Sequence, residues 1–161
     1  KAMRQKTIGD ALGVFCQAAR GAGYYHLASA EGYIVGIESV FDDFNILYPE
    51  RDILVHSNHY LTDRFKKGDL AYLGIPDSYL RVQRMRQLMD RHYGQLTPQL
   101  MMEFLADHNN HPTGICRHYD SETPRLFNAE TLASFIMVPA EGKMYLTHGT
   151  PCKFEYLEYS I

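Results

Sequence analysis

The chain has 161 residues, of which 45% are apolar and 22% charged, and its formal net charge is −3. This composition is ordinary for one soluble globular domain, and the scattered charges exclude the basic surface of a nucleic-acid-binding protein. No apolar run is long enough to cross a bilayer, so we expect no membrane segment. The three cysteines are irregularly spaced, which favours reduced thiols and a cytoplasmic location over a disulfide framework.

The first 60 residues predict one helix followed by several strands. Thr7 and Asp10 fit a capping box, and Gly21 and Gly23 are expected to end the helix that follows. Its apolar residues recur at helical spacing and are Ile8, Leu12, Phe15, Cys16 and Ala19. Strands are predicted at residues 24–28, 33–39 and 44–48, with a short buried strand at residues 53–55.

The middle of the chain predicts an irregular surface loop and then two helices. Residues 61–75 form the loop, and the helices cover residues 76–93 and 97–107, the second with Thr97 as N-cap and Pro98 in its first turn. On the first of these helices we expect inward-facing Leu80, Met85, Leu88 and Met89, and mostly outward-facing Arg81, Arg84, Arg86 and Arg91.

The last third predicts strands at residues 115–119, 131–138, 143–147 and 153–159. Because helices and strands come in runs, the predicted fold class is α+β with antiparallel sheets. The sequence shows no internal repeat and no clear domain boundary, so we expect a single domain over residues 1–161.

A first polar cluster, at residues 56–59, follows the predicted buried strand and contains His56, Asn58 and His59. Polar groups at such a position suggest a site, because burying them without partners is costly. The Asn58 amide could donate to an oxyanion. Two other interpretations stay open: a set of loop-capping residues, or a metal held by the H-x-x-H pair, although no acidic residue stands at the spacing of a zinc protease.

A second polar cluster covers residues 107–118 and connects a predicted helix to a predicted strand. Arg117 could bind a carboxylate or support an active site, and a salt bridge at a strand edge explains it equally well. Cys116 is a possible nucleophile paired with His118, because Arg117 and His118 could lower the pKa of its thiol. In a strand, however, Cys116 and His118 would share one face and Arg117 would point away.

The order of motifs resembles the back part of the acyl-coenzyme A:6-aminopenicillanic acid acyltransferase family, which is similar in fold to the choloylglycine hydrolases. The motifs lie at residues 32–38, 55–59, 78–84, 107–118, 131–134 and 149–152, and the resemblance covers nearly the whole chain. None of the six is decisive by itself, whereas their order is fairly specific. The chain lacks the G-x-S-x-G of the penicillin enzyme, so the resemblance gives no support for penicillin chemistry.

The resemblance implies a portion of an amino-terminal-nucleophile (Ntn) hydrolase fold, an αββα sandwich with antiparallel sheets. In such enzymes an amino-terminal cysteine, exposed by self-processing, attacks an acyl-amide carbonyl and forms an acyl-enzyme. By the same resemblance Asn58 matches the oxyanion-stabilising residue. Arg117 matches a recurrent arginine, and His56 and His59 match residues that frame the active site.

One departure from the family pattern concerns the nucleophile, because no cysteine in this sequence occupies its place. We therefore expect residues 1–161 to be the carboxy-terminal part of the domain, with the nucleophile upstream of Lys1. An incomplete sandwich exposes apolar surface and strand edges, so we expect the amino-terminal portion as a partner, or self-association. The expected substrate is a small-molecule acyl-amide, with no cofactor and no metal. The alternative function is a non-catalytic ligand-binding or interaction domain on a decayed Ntn scaffold.

Overall fold

A computed structural model describes residues 1–17, 21–124 and 128–161 of the chain. In this part of the chain helices combine with two three-stranded antiparallel sheets, which confirms the predicted α+β class with antiparallel sheets. Ala19, predicted to lie on the first helix, is outside the described residues. No helix among the described residues is long and apolar enough to span a membrane. The described residues divide into two compact units.

The first unit comprises Lys1–His56 and Tyr60–Asp69. Its elements are a 3₁₀ turn (Ala2–Arg4), helix α1 (Ile8–Gln17), strands β1 (Gly23–Ala28), β2 (Ile34–Ser39) and β3 (Phe44–Leu47), and the one-turn helix α2 (Asp63–Lys66). The sheet order is β1-β2-β3, with Tyr25 opposite Ile37 and Ile37 opposite Ile46. Helix α1 covers this sheet, because its buried Ala11 shares one core with Leu27, Val35 and Ile37.

The second unit comprises Ser57–His59 and Leu70–Ile161. Its helices are α3 (Ala71–Gly74), α4 (Asp77–Arg91) and α5 (Pro98–Leu105), and its strands are β4 (Phe135–Val138), β5 (Lys143–Leu146) and β6 (Leu157–Ser160), with a 3₁₀ turn at Pro139–Glu141. Thr97 caps α5, as predicted, by accepting a hydrogen bond from the Leu100 N–H at 3.2 Å. The second sheet has the order β4-β5-β6.

One face of the second sheet exposes apolar side chains. Phe135 and Met137 on β4 and Leu157 and Tyr159 on β6 are all exposed. The strand register places Phe135 and Leu157 on either side of Leu146, and it places Met137 and Tyr159 on either side of Met144. Since residues opposite one another in a sheet share a face, these side chains form two apolar rows across the sheet.

Several predicted elements are wrong. Residues 115–119 form no strand, because the N–H groups of Cys116, Arg117 and His118 bond to Asp107 O, Thr131 Oγ1 and Pro112 O, as in a loop. Residues 53–55 contribute a single bridge between Ile53 and Glu50 instead of a strand.

Predictions for the middle of the chain are also wrong, both in secondary structure and in burial. Residues 61–75, predicted to be an irregular surface loop, contain the two short helices α2 and α3, with Phe65 and Ala71 buried. Leu80, predicted to face inward, is 50% exposed. The outward-facing prediction for Arg81 and Arg84 also fails, because each is mostly buried in an ion pair.

Candidate functional site

The polar cluster at residues 56–59 is divided between the two units. His56 belongs to the first unit, whereas Asn58 and His59 belong to the second. Arg117, the fourth predicted site residue, also belongs to the second unit. The surroundings of Asn58, His59 and Arg117 therefore form one candidate site, and those of His56 are described separately.

Asn58 is held by the first two turns of helix α4. Its backbone N–H donates to Ser78 Oγ at 2.8 Å, and its side-chain Oδ1 accepts from Arg81 Nη2 at 2.8 Å. A guanidinium group can only donate, so the amide atom that faces Arg81 must be the oxygen. The Asn58 NH₂ group is left without a hydrogen-bond partner among the described residues, and the residue is exposed.

Asp77 links Arg81 to Arg117. Its Oδ2 accepts from Arg81 Nε at 2.9 Å and from Arg117 Nη1 at 3.0 Å. All three side chains are largely buried, with 7% of Asp77, 14% of Arg117 and 19% of Arg81 exposed. Because Arg81 also holds Asn58, a continuous series of charge-assisted hydrogen bonds runs from Arg117 through Asp77 and Arg81 to the Asn58 amide.

His59 is anchored next to Asn58 by the same helix. Its Nδ1 lies 2.7 Å from Ser78 Oγ, and its ring lies 4.0 Å from the Tyr79 ring, measured between centroids. Ser78 is fully buried and serves both the Asn58 backbone and the His59 ring. In this arrangement His59 fixes the segment that presents Asn58.

A cleft of about 400 Å³ opens beside the Asp77–Arg117 pair. Leu73 and Leu80 contribute apolar surface to its wall, and they are 65% and 50% exposed. The remaining lining residues are Gly74, Pro76, Asn110, Thr113 and Thr123. A cleft that joins apolar walls to a few fixed polar groups is typical of a small-molecule site.

His56 in the first unit forms a separate buried arrangement with Glu38. Its Nε2 lies 2.8 Å from Glu38 Oε1, and its ring stacks on Tyr24 with 3.7 Å between centroids. The close packing of Tyr24 requires glycine at position 36, where a Cβ atom would lie 2.7 Å from the Tyr24 hydroxyl oxygen. The sequence prediction that His56 shares a frame with Asn58 stays a prediction.

The fully buried carboxylate of Glu38 is stabilised by several donors. Besides His56, it accepts hydrogen bonds from the Leu61 N–H, the Thr62 N–H at 3.2 Å and the Thr62 hydroxyl at 2.7 Å. Burial alone would raise the pKa of Glu38, but the hydrogen bonds from His56, Leu61 and Thr62 outweigh it and lower that pKa. Burial and the Glu38 charge raise the pKa of Tyr24 to about 12.

Replacing Glu38 with glutamine is expected to lower the free energy of unfolding at pH 7 by about 1.5–3 kcal/mol, the range for hydrogen bonds to a charged group. Because the folded-state pKa lies below its ordinary value of 4.5, the carboxylate stabilises the fold above that pH. This stabilisation is lost as the pH falls through the folded pKa. Denaturant unfolding should therefore show a difference in free energy of unfolding between wild type and Glu38→Gln at pH 7. This difference should become smaller as the pH is lowered.

The matched control is Glu155→Gln, which changes an exposed carboxylate and should alter the free energy of unfolding by less than about 0.5 kcal/mol. A gap between wild type and Glu38→Gln that stayed constant below pH 4.5 would show that the Glu38 charge does not stabilise the fold.

The family model for acyl-coenzyme A:6-aminopenicillanic acid acyl-transferase matches residues 3–153. The chain belongs to this family. The match extends over both units and includes all four predicted site residues, and it confirms the resemblance inferred from motif order. Membership of the acyl-transferase family supports a function of the acyltransferase or hydrolase type.

In this acyl-transferase family member, Cys116 is not an activated thiol. Cys116 is fully buried, and burial together with a hydrogen bond involving Cys152 raises its pKa to about 11. That direction is opposite to the lowering that Arg117 and His118 could have caused, so Cys116 is a poor nucleophile. Cys16 lies on helix α1, half-buried.

Sequence analysis missed three residues that build the candidate site: Asp77, Ser78 and Arg81. One signal was available, because Asp77 and Arg81 stand four residues apart on a predicted helix and so can pair on one face. The Arg117–Asp77 pair spans 40 residues and has no local sequence signal.

Proposed function

We propose that this chain supplies the oxyanion-binding side of a cysteine-dependent acyl-amide hydrolase or acyltransferase. The nucleophilic cysteine lies outside residues 1–161, and autoproteolytic processing of an Ntn-type precursor exposes it. The proposal rests on family membership and on one structural observation, the orientation of the Asn58 amide.

The Asn58 amide has the properties that an oxyanion donor needs. Arg81 fixes its oxygen and Ser78 fixes its backbone, so the NH₂ group is held in one direction without its own partner. A donor oriented before the reaction stabilises developing negative charge without the cost of reorganisation. Arg117 contributes through Asp77, which holds Arg81 in place.

The chemical step follows from these positions. A cysteine thiolate attacks the carbonyl carbon of the substrate, a C–S bond forms, and the carbonyl electron pair moves to the oxygen. The Asn58 NH₂ group donates to this oxyanion. Collapse of the intermediate breaks the C–N bond, the leaving amine takes the thiol proton that the α-amino group of the same cysteine had accepted, and the acyl group stays on sulfur. Water or a second amine then releases it, which gives hydrolysis or acyl transfer.

The substrate class we propose is a small acyl-amide whose acyl part is apolar. Leu73 and Leu80 give the cleft an apolar wall. Of its charged lining residues, Arg117 donates to Asp77 at 3.0 Å, so this pair is already bonded to each other beside the apolar wall.

We also propose that another part of the complete protein covers the apolar face of the second sheet. Phe135, Met137, Leu157 and Tyr159 are exposed there in two cross-strand rows. An Ntn sandwich packs one sheet face against a second sheet, and that packing would bury these rows.

An acyl-trapping experiment tests the function. The full-length protein is incubated with activated acyl donors of increasing chain length, namely p-nitrophenyl esters and acyl-coenzyme A thioesters, and the acyl adduct is located by peptide mass spectrometry. We expect one acyl group on a cysteine outside residues 1–161.

Two results would contradict the proposal. An adduct on Cys116 or Cys152 would place the nucleophile inside this chain. A full-length protein that binds these donors without forming any adduct would support the non-catalytic ligand-binding domain instead.

A further inference from the structure

Four potential metal ligands from the second unit converge at one point. His108, Cys116, His118 and Cys152 each offer one ligand atom, and the four atoms all lie within 4.8 Å of one another. The two histidine Nε2 atoms are 2.9 Å apart, and the two cysteine Sγ atoms are 3.5 Å apart. His118 Nε2 lies 3.4 Å from Cys116 Sγ and 3.5 Å from Cys152 Sγ. We propose that these four residues bind a zinc ion.

Hydrogen bonding alone does not explain this convergence. His118 Nε2 has three partners within hydrogen-bond distance: His108 Nε2, Cys116 Sγ and Cys152 Sγ. An imidazole nitrogen has one lone pair or one N–H in the ring plane, so it can serve only one of them well. A cation at the centre of the group would satisfy all four ligand atoms at once.

The spacing of the ligand atoms fits a tetrahedral zinc ion. Zn–S bonds of about 2.3 Å and Zn–N bonds of about 2.0–2.1 Å imply tetrahedral edges of about 3.8 Å between sulfurs, about 3.5 Å between sulfur and nitrogen and about 3.3 Å between nitrogens. Four of the six separations are 3.5 Å between the two sulfurs, 3.4 and 3.5 Å from His118 Nε2 to the sulfurs, and 2.9 Å between the two nitrogens. Each equals the expected edge or is shorter by less than about 0.5 Å. The other two separations, from His108 Nε2 to the sulfurs, are at most 4.8 Å.

The two sulfur atoms are not joined in a disulfide. Both cysteines are free, and their Sγ atoms are 3.5 Å apart, whereas a disulfide bond is about 2.05 Å long. Two thiolates and two imidazoles are the ligand set that zinc prefers in sites with a structural role, where all four positions are occupied by protein. The inferred site therefore stabilises the fold and leaves no open position for chemistry.

The backbone brings three of the ligands together within one loop. The Cys116 N–H donates to Asp107 O at 3.0 Å, and the His118 N–H donates to Pro112 O at 2.9 Å, which folds residues 107–118 back on themselves. Gly114 permits this fold, because a Cβ atom there would lie 2.7 Å from Asn109 O. Cys152 arrives from a separate turn that is closed by the Lys153 N–H bonding to Thr150 O at 3.0 Å.

The metal would fix the position of Arg117. Arg117 stands between two ligands, Cys116 and His118, and its guanidinium is bonded to Asp77 at 3.0 Å. A zinc ion that holds both neighbours restrains the backbone on each side of this arginine. The H-x-x-H pair identified in the sequence is not part of the site, since His56 bonds to Glu38 and His59 to Ser78.

Metal analysis of the full-length protein tests the inference. The untagged protein is purified with a reductant present, supplied with zinc alone and dialysed against metal-free buffer, and zinc is measured by mass spectrometry. We expect about one zinc per chain, as in four-ligand sites of this type. Cobalt in place of zinc should give the visible absorption of a thiolate-bound tetrahedral ion. Wild-type protein that holds no zinc under these conditions would overturn the inference.

Variants of the exposed ligands separate binding from folding. Cys152→Ala and His108→Ala change exposed residues and should lose at least tenfold in zinc affinity, as measured by competition with a chelator. His111→Ala is the matched control, because its ring lies 5.3 Å from the His118 ring, between centroids, outside the ligand set. Cys16→Ser controls for loss of a thiol elsewhere. Unchanged affinity in Cys152→Ala, or an equal loss in His111→Ala, would overturn the ligand assignment.

Discussion

Asn58→Ala is expected to lower kcat for acyl transfer or hydrolysis by about 10²–10³-fold in the full-length protein, the usual effect of removing one oxyanion donor. KM should change little, because the Asn58 NH₂ group gains its partner only when the carbonyl oxygen becomes negative. The measurement is steady-state kinetics with the acyl donor that gives an adduct in the trapping experiment.

Asn58→Asp distinguishes a donor from a structural residue. Aspartate keeps an oxygen for Arg81 Nη2, which lies 2.8 Å from Asn58 Oδ1, but it replaces the NH₂ donor with a second oxygen. If Asn58 acts as a donor, Asn58→Asp should lose at least as much in kcat as Asn58→Ala. Wild-type kcat in Asn58→Asp would show that Asn58 only holds Arg81, and wild-type kcat in both variants would remove Asn58 from the active site.

Local sequence signals were enough to predict the main helices and the first sheet. Thr97 with Pro98 marks the start of α5, and Pro76 precedes the start of α4. Gly32 lies between β1 and β2 and adopts a positive φ of 90°, which glycine tolerates best. Caps, prolines and turn residues act within a few positions along the chain, so a single sequence contains them in full.

The predicted strand at residues 115–119 fails for a reason outside the local sequence. Ile115, Cys116 and Tyr119 suit a strand, but the N–H groups of Cys116 and His118 bond to Asp107 O and Pro112 O. These bonds depend on the loop that Gly114 permits. Strand propensity is easily overridden when tertiary contacts give the backbone other partners.

The candidate site was predictable only in part for the same reason. Asn58 and Arg117 stand out as polar residues in polar clusters, but the link between them requires Asp77 and Arg81 from a helix. The inferred zinc ligands show the same limit, because three lie within residues 108–118 and Cys152 follows 34 residues later. Pairing across such distances is fixed by the fold and leaves no periodic pattern in the sequence.

Asp77→Asn is expected to give the largest loss of stability, about 3 kcal/mol or more at pH 7. The carboxylate is only 7% exposed and accepts from two arginines that are themselves 14% and 19% exposed. Its neutral replacement removes the carboxylate that both largely buried guanidinium groups contact, and breaking a buried ion pair typically costs about 3–5 kcal/mol. Denaturant unfolding of the full-length protein measures the loss. Because Arg81 also holds the Asn58 amide, kcat should fall in parallel.

The control for Asp77→Asn is Asp63→Asn, which makes the same chemical change in an exposed ion pair. Asp63 is 98% exposed and lies 2.9 Å from Lys66 Nζ, so its loss should cost less than about 0.5 kcal/mol.

Arg81→Lys adds a second comparison, because it keeps the charge but removes the planar fork that contacts Asp77 and Asn58 together. If stability governs activity, both the free energy of unfolding and kcat of Arg81→Lys should be nearly those of wild type. If the position of the Asn58 amide governs it, Arg81→Lys should lose kcat at a much smaller cost in stability than Asp77→Asn. A free energy of unfolding for Asp77→Asn within 1 kcal/mol of wild type would show that Asp77 is not the counter-ion of the two arginines.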